Sequence, residues 1–251
     1  MRRRVIAFDL DNTLADSKSP IAGRMAALLG ELLTRLQVCV ISGGSFEQFR
    51  TQLLHRLVVS PASLGALHLL PTCGTRYYRY GVDAEEWRQV YAEDISPKDK
   101  AVIVAALDQG AATLGFQNAR LWGSQVEDRG SQVTFSALGQ NAPVAEKEAW
   151  DPDDTKKRTL RDLVATEIPG FEVRVGGSTS IDVTRHGIDK AYGMTMLIAH
   201  LGIAKADVLF VGDRLEQGGN DHPVAAMGVD CVAVTRWQDT ALLVETILAV
   251  T

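Results

Sequence analysis

Val5-Ile6-Ala7-Phe8-Asp9-Leu10-Asp11-Asn12-Thr13 decides how this chain is read. The apolar run that opens it has the length and composition of a parallel strand covered on both faces. The run ends in two carboxylates with one residue between them. Strand side chains alternate, so Asp9 and Asp11 point the same way if the extended geometry continues. A buried pair of like charges is costly unless a cation or a substrate uses it. The pattern points to a site where one carboxylate attacks phosphorus, its neighbour moves a proton and a cation holds both. Taken alone, the triplet also fits a surface turn rich in Asp and Asn.

The rest of the chain supplies the context. Val38-Cys39-Val40-Ile41 reads as a second buried strand, ending at Ser42-Gly43-Gly44-Ser45. Val208-Leu209-Phe210-Val211 ends at Gly212-Asp213, and Cys231 to Val234 is a further strand. Residues 67–70 are a candidate third strand, and 77–81 resemble one arm of a hairpin. Helical spacing covers 20–33, with Ser19 as N-cap and Pro20 in the first turn. Further helices are expected from 45 to about 57, over 191–201 and over 239–249. Strands alternating with helices predict a parallel α/β sheet. The middle follows another rhythm: helix 97–114, strands 121–127 and 131–138, helix 153–166, strands 171–175 and 178–184. That order predicts an antiparallel sheet backed by helices. The expected fold class is therefore α/β, a Rossmann-like parallel-sheet core carrying an inserted α+β cap. Residues 1–82 and 187–251 are the expected core and 83–186 the cap.

Composition narrows the function classes. The chain has 251 residues, 46% hydrophobic and 23% charged, which fits an ordinary globular protein of one large domain or two small ones. Its net charge is −5, and Arg2-Arg3-Arg4 and Lys156-Lys157-Arg158 are its basic runs, so nucleic-acid binding has no support. The apolar stretch behind the first arginines is too short for a signal peptide, and no run is long enough to span a membrane. Cys39, Cys73 and Cys231 show no CxxC spacing. A reduced cytoplasmic protein without disulfides or structural zinc is expected.

Three further segments bear on the Asp9-Asp11 pair. Ser42 ends a strand and is followed by Gly43, Gly44 and a helix. Backbone N–H groups and a helix N-terminus favour an anion there, although an N-cap with a glycine turn has the same sequence. Lys190 stands where a helix begins, so its charge gains nothing from the helix dipole. A phosphoryl group beside Asp9 is one partner for it; a solvated surface position is the other reading. Finally, Gly212-Asp213 closes a strand, and Gly218-Gly219-Asn220-Asp221 presents hard oxygen ligands before the next helix. Such ligands at a strand end suit Mg²⁺.

These four segments, in this order, resemble the haloacid dehalogenase-like superfamily. Asp9-Leu10-Asp11-Asn12-Thr13 matches its DxDxT motif, Ser42 its second, Lys190 its third, and Asp213 with Asn220-Asp221 its fourth. A cap between the second and third motifs is the type IIB arrangement. The long fourth motif, Gly212-Asp213 to Gly218-Gly219-Asn220-Asp221-His222, is similar to that of eukaryotic-type phosphomannomutases. So are Val40 to Ser45, Gly176 to Val183 and Glu127-Asp128-Arg129-Gly130. The resemblance implies Asp9 as nucleophile, Asp11 as acid and base, and Ser42 and Lys190 as ligands of the transferring phosphoryl group. It implies Mg²⁺ held by Asp9, the Asp11 carbonyl and Asp213, with Asn220 and Asp221 in support. Ser42, Gly43, Gly44, Arg129, Ser180, Asp182 and Lys190 are the implied substrate contacts, and a small phosphorylated metabolite the implied partner. Such mutases often dimerise through the cap; Trp87, Trp122 and Trp150 are candidates either for that surface or for the cap core.

One departure decides the expected reaction. The mutases clamp a distal phosphate with several cap arginines, and here only Arg129 keeps such a position. The others fall on Trp122 and Gln140, with Arg120 and Arg174 as candidates to compensate. Neither Trp nor Gln replaces a guanidinium's charge. The expected activity is therefore a Mg²⁺-dependent sugar-phosphate phosphatase, with a hexose phosphomutase as the alternative. A non-catalytic sugar-phosphate binding module is the third reading, and the complete set Asp9, Asp11, Lys190 and Asp213 argues against it.

Overall fold

The computed structural model describes residues 3–116 and 120–250. Arg2 of the first basic run lies outside them. The chain forms two compact units, one of Met1–Ala92 with Asp189–Thr251 and one of Glu93–Ile188. The first unit begins with β1 (Val5–Asp9), α1 (Gly23–Leu32), β2 (Gln37–Ile41), α2 (Phe46–Gln52), α3 (Pro61–Leu64), β3 (Leu67–Leu70), β4 (Arg76–Gly81) and β5 (Glu86–Ala92). The second holds α4 (Pro97–Thr113), β6 (Val126–Asp128), β7 (Gln132–Ser136), α5 (Val144–Trp150), α6 (Thr155–Glu167), β8 (Glu172–Val175) and β9 (Ser180–Thr184). The first unit then closes with α7 (Lys190–Leu201), β10 (Val208–Gly212), α8 (His222–Ala226), β11 (Asp230–Ala233) and α9 (Trp237–Val250).

The first unit is a sheet in the order β11-β10-β1-β2-β3-β4-β5. Pairing is parallel from β11 to β3 and antiparallel for β4 and β5. Alternation splits the central strands between two apolar layers. Ile6, Phe8, Val38 and Val40 pack with Met25 and Leu29 of α1 and Val244 of α9. Val5, Ala7, Cys39 and Ile41 pack with Met194 and Leu197 of α7. This two-sided burial is why β1 reads as an unbroken apolar run. Truncating a side chain such as Phe8 to alanine should cost about 3–5 kcal/mol.

In the second unit the sheet order is β6-β7-β9-β8, antiparallel throughout. Val133, Phe135, Ile181 and Val183 turn one face toward Ile103 and Leu107 of α4 and Leu160 and Val164 of α6. The alternate residues Gln132, Thr134, Ser136, Ser180 and Asp182 therefore lie on the other face.

The fold agrees with the α/β expectation, and several boundaries move. The insert begins at Glu93 rather than 83, because residues 86–92 hairpin with β4 and complete the first sheet. That edge strand is largely exposed and carries no apolar run to betray it. Trp87 accordingly belongs to the first unit, edge-on to Phe46 and Tyr80, and is not a cap residue. Trp150 packs at the second unit's core against Phe116. Helix α1 starts at Gly23, not Pro20, because the backbone is still extended at Ala22, with φ −67° and ψ 152°. The expected strand 121–127 shrinks to β6, since Gly123 adopts φ +83°, outside extended geometry. No described helix is long and apolar enough to cross a membrane.

Candidate active site

Register places the chemistry-bearing residues at one edge of the first sheet. Asp9 ends β1 opposite Ile41, the last residue of β2, and Phe8 lies opposite Val211 of β10. Ser42 and Asp213 therefore follow the carboxyl ends of the strands flanking Asp9. Open α/β sheets bind ligands at this edge.

Lys190 arrives from α7. Asp189 caps the helix by accepting the Tyr192 N–H at 2.9 Å. One turn in, Gly193 lies against Gly74, where a Cβ on Gly74 would come 2.3 Å from the Gly193 Cα. Gly74 also has φ +84°, so both glycines are needed for the helix to approach this closely. The approach delivers the Lys190 ammonium into the sheet edge. It donates to Asp9 Oδ1 at 2.5 Å and to Asp221 Oδ1 at 2.6 Å. Exposure is 2% for Lys190, 4% for Asp9 and 0% for Asp221, so these charges are out of water. The other Asp221 oxygen accepts the Arg214 N–H at 3.0 Å. A Cβ on Gly212 would sit 2.4 Å from that oxygen, so the glycine makes room for the buried carboxylate. Asp213 is half-buried, and its Oδ2 accepts from the Asn12 amide at 3.3 Å.

The charges do not balance. Asp9, Asp213 and Asp221 bring one oxygen each to within 4.8 Å of one another. Three carboxylates against one ammonium leave two negative charges in a desolvated place. Burial pushes Asp9 up to about 7, opposed by Lys190 and reinforced by Asp221 and Asp11. Burial also raises Asp213. Lys190 is itself buried, yet Asp9 and Asp221 outweigh that and hold it protonated more firmly than a free lysine. A divalent cation would supply the missing charge, and three hard oxygens suit Mg²⁺. The donor set fits. Both Asp221 oxygens already accept hydrogen bonds, so Asp9 and Asp213 are the residues better free to ligate.

The remaining predicted residues fall into place differently. Asp11 turns toward α2: its Oδ1 accepts from the Lys18 N–H at 2.6 Å and the Gln52 amide at 3.2 Å, its Oδ2 from the Gln48 amide at 3.2 Å. Its carboxylate is not part of the three-aspartate cluster. Ser42 is buried, and its Oγ accepts the Gly44 N–H at 3.1 Å, which leaves the hydroxyl proton available to an oxyanion. The serine thus fulfils the glycine-turn reading and retains the binding one. Gly43 lies beside Cys73, and Gly44 makes room for Gln48. Asn220 is exposed on its loop, and its neighbour Asp221 takes the buried role.

In the second unit, Arg129 pairs with Glu127 at 2.7 Å. Ser180 is buried at the start of β9, and Asp182 accepts from the Thr134 hydroxyl at 2.7 Å. Arg174 pairs with Glu172 at 3.2 Å and donates to the Ile188 carbonyl. Arg120 stacks over Trp122 at 4.8 Å, and the Gln140 amide donates to the Gln125 carbonyl.

Three residues at the catalytic edge escaped the sequence reading: Asn12, Gln48 and Gln52. Asn12 stood inside the quoted motif, and its φ of +61° suits an asparagine. The glutamines had a signal in their spacing, since i and i+4 share one helix face.

A profile of the eukaryotic phosphomannomutase family matches residues 25–250. The chain belongs to that family. It is similar to phosphomannomutase 2 of Dictyostelium discoideum, 25% identical over 232 residues that span 89% of this chain and 87% of the relative. Among solved structures it resembles a haloacid dehalogenase-like hydrolase from Bacteroides thetaiotaomicron, with a TM-score of 0.64, 16% identity, and coverage of 98% and 100%. It also resembles the N-terminally truncated, IMP-bound IMP-nucleotidase of Plasmodium falciparum, with a TM-score of 0.70, 14% identity, and coverage of 99% of this chain and 68% of that one. These likenesses agree on the haloacid dehalogenase-like fold. The chain is thus an enzyme of the superfamily that carries out phosphoryl transfer and phosphate ester hydrolysis.

Proposed function

We propose that the chain is a hexose phosphomutase of the phosphomannomutase kind, moving a phosphoryl group through an aspartyl-phosphate on Asp9. The observation that carries this reading is the family match over residues 25–250, which includes Lys190 and Asp221; Asp9, upstream of the matched segment, is held by that same lysine. Lys190 holds Asp9 Oδ1, which leaves Oδ2 to attack phosphorus. The lysine charge and the Ser42 hydroxyl offset charge on the phosphoryl oxygens, a task met by preorganised donors. Asp11 gives its proton to the leaving oxygen and later removes one from the acceptor hydroxyl. Mg²⁺, held by Asp9 and Asp213, would supply the positive charge that lets Asp9 ionise below its metal-free value.

Hydrolysis is the second reading, and the cap arginines favour it. Arg129 is already paired with Glu127 and Arg174 with Glu172. A distal phosphate would have to displace a carboxylate in each case, while Trp122 and Gln140 add no charge. Each good charge-assisted contact contributes roughly 1.5–3 kcal/mol. Two missing clamps correspond to about a hundredfold or more in escape of the sugar before return transfer.

The deciding experiment is the fate of the phosphorylated enzyme. Enzyme primed with a hexose bisphosphate is mixed with hexose 1-phosphate and Mg²⁺, and 6-phosphate and free phosphate are measured together. The mutase reading expects the sugar to receive most of the phosphoryl groups. Release chiefly as free phosphate rejects it in favour of the phosphatase.

A further inference from the structure

Gln48 and Gln52 project from one face of α2 toward the Asp11 carboxylate. Their amides donate one bond to each of its oxygens, and the Lys18 N–H adds a third. The orientation of Gln52 is fixed independently. Its nitrogen also donates to the Ser19 carbonyl at 3.0 Å, where an amide oxygen would meet another acceptor. Its own Oε1 is buried and has no hydrogen-bond partner among the described residues. A buried acceptor left unsatisfied is unfavourable and invites a functional explanation. Here the amide is turned so that its nitrogen, not its oxygen, faces Asp11.

The loop after β2 is shaped around the same contact. A Cβ on Gly44 would fall 2.2 Å from the Gln48 Oε1, so any larger residue there would displace the glutamine. Gln52 is tied in further through its carbonyl, which accepts the Ile21 N–H at 2.8 Å. The loop after β1, the loop after β2 and helix α2 thus meet at one carboxylate. That carboxylate stands apart from the three-aspartate cluster.

We infer that Gln48 and Gln52 are positioning residues that hold Asp11 at the angle needed for proton transfer to and from the sugar oxygen. The inference rests on the phosphoryl-transfer reading above. In the step concerned, the Asp9 oxygen forms its bond to phosphorus and the phosphorus–sugar oxygen bond breaks. The proton of the Asp11 carboxyl passes to the departing oxygen, and return transfer reverses each change. Two donors on α2 set where that proton sits. Their amides donate to Asp11 and Ser19, and not to Lys190 or to the Asp9 and Asp213 carboxylates.

The requirement for Asp11 depends on the leaving group, and this gives a test that a merely structural role would not pass. A sugar alkoxide must be protonated as it leaves, whereas 4-nitrophenolate need not be. Gln48→Met and Gln52→Met remove the donors while keeping the length of the side chain. Leaving-group release is measured in a single turnover from hexose 1-phosphate and from 4-nitrophenyl phosphate, with excess enzyme and Mg²⁺. General acid catalysis contributes about 10²–10⁴-fold. Its partial loss should slow release from the sugar phosphate about 30-fold or more and from the nitrophenyl ester less than about threefold. Gln48 is only half-buried, so its variant serves if Gln52→Met folds poorly. Equal losses for both substrates, or no loss for either, overturn the positioning role. Wild-type protein that releases a leaving group from neither compound overturns the phosphoryl-transfer reading and the inference with it.

Discussion

Asp9→Asn should abolish turnover and at the same time stabilise the metal-free protein. A carboxamide is a poor nucleophile, which accounts for the first effect. The second follows from the charge imbalance. Asp9 is held at about 7 against an ordinary value of 3.8, mainly by burial. A raised carboxyl contributes stability that is full below its unfolded value and lost as pH rises through its folded one. The gap of about three pH units, at ~1.4 kcal/mol each, sets a ceiling near 4 kcal/mol above pH 7. Asparagine keeps an acceptor for Lys190 while removing one of three buried negative charges. We expect Asp9→Asn to gain about 2–4 kcal/mol at pH 8 in chelator, hence roughly 4–16 °C in Tm for a chain of this size. The gain should shrink toward pH 5, where the wild-type carboxyl is itself protonated, and shrink again with saturating Mg²⁺. Thermal unfolding of both proteins from pH 5 to 8, with and without Mg²⁺, checks this. An unchanged or lower Tm for the variant at pH 8 in chelator would refute the claim that Asp9 ionises against its surroundings.

Two further outcomes follow from particular residues. Asp213→Ala should raise the Mg²⁺ concentration for half-maximal activity about ten- to a hundredfold, and a titration after chelation measures it; full wild-type activity in excess chelator would sink the metal site. His68 is buried between Tyr77 at 2.7 Å and Gln37 at 3.1 Å, and burial lowers it from 6.5 to about 3. Its depressed value means stability lost as pH falls from 6.5 toward 3, with a ceiling of about 5 kcal/mol. His68→Gln should flatten that acid loss. Urea unfolding at pH 7 and pH 4 in the Asp9→Asn background tests it, because Asp9 titrates with the opposite sign over the same range.

What the sequence disclosed depended on how a residue acts. The strand before Asp9 was legible because both its faces are buried, so hydrophobicity alone marks it. Lys190 was legible as a misplaced charge at a helix start, and the structure supplies the two carboxylates that make it sensible. Strand β5 was hidden because an exposed edge strand is polar by necessity. Asp11 was identified, but its orientation was not, since that is set by amides from a helix some forty residues away. Asp221 shows the same limit: it lies in the three-aspartate cluster, as its spacing suggested, but the bonds its oxygens accept from Lys190 and the Arg214 N–H are set by tertiary packing.

These cases share a cause. Burial pattern is a local property and survives in the sequence, whereas the division of labour among like residues is settled by which hydrogen-bond donors reach them. Four aspartates stand at this sheet edge with similar local signatures. One keeps an oxygen free beside an ammonium, one faces three N–H donors, one remains half-exposed, and one is enclosed. The proposed roles of nucleophile, proton carrier, metal ligand and lysine anchor match those surroundings. A substitution that moves a donor from one aspartate to another should therefore alter the reaction more than one that changes the apolar layer beneath them. The loop after β2 illustrates it: a side chain on Gly44 would disturb Asp11 through Gln48 without touching either core.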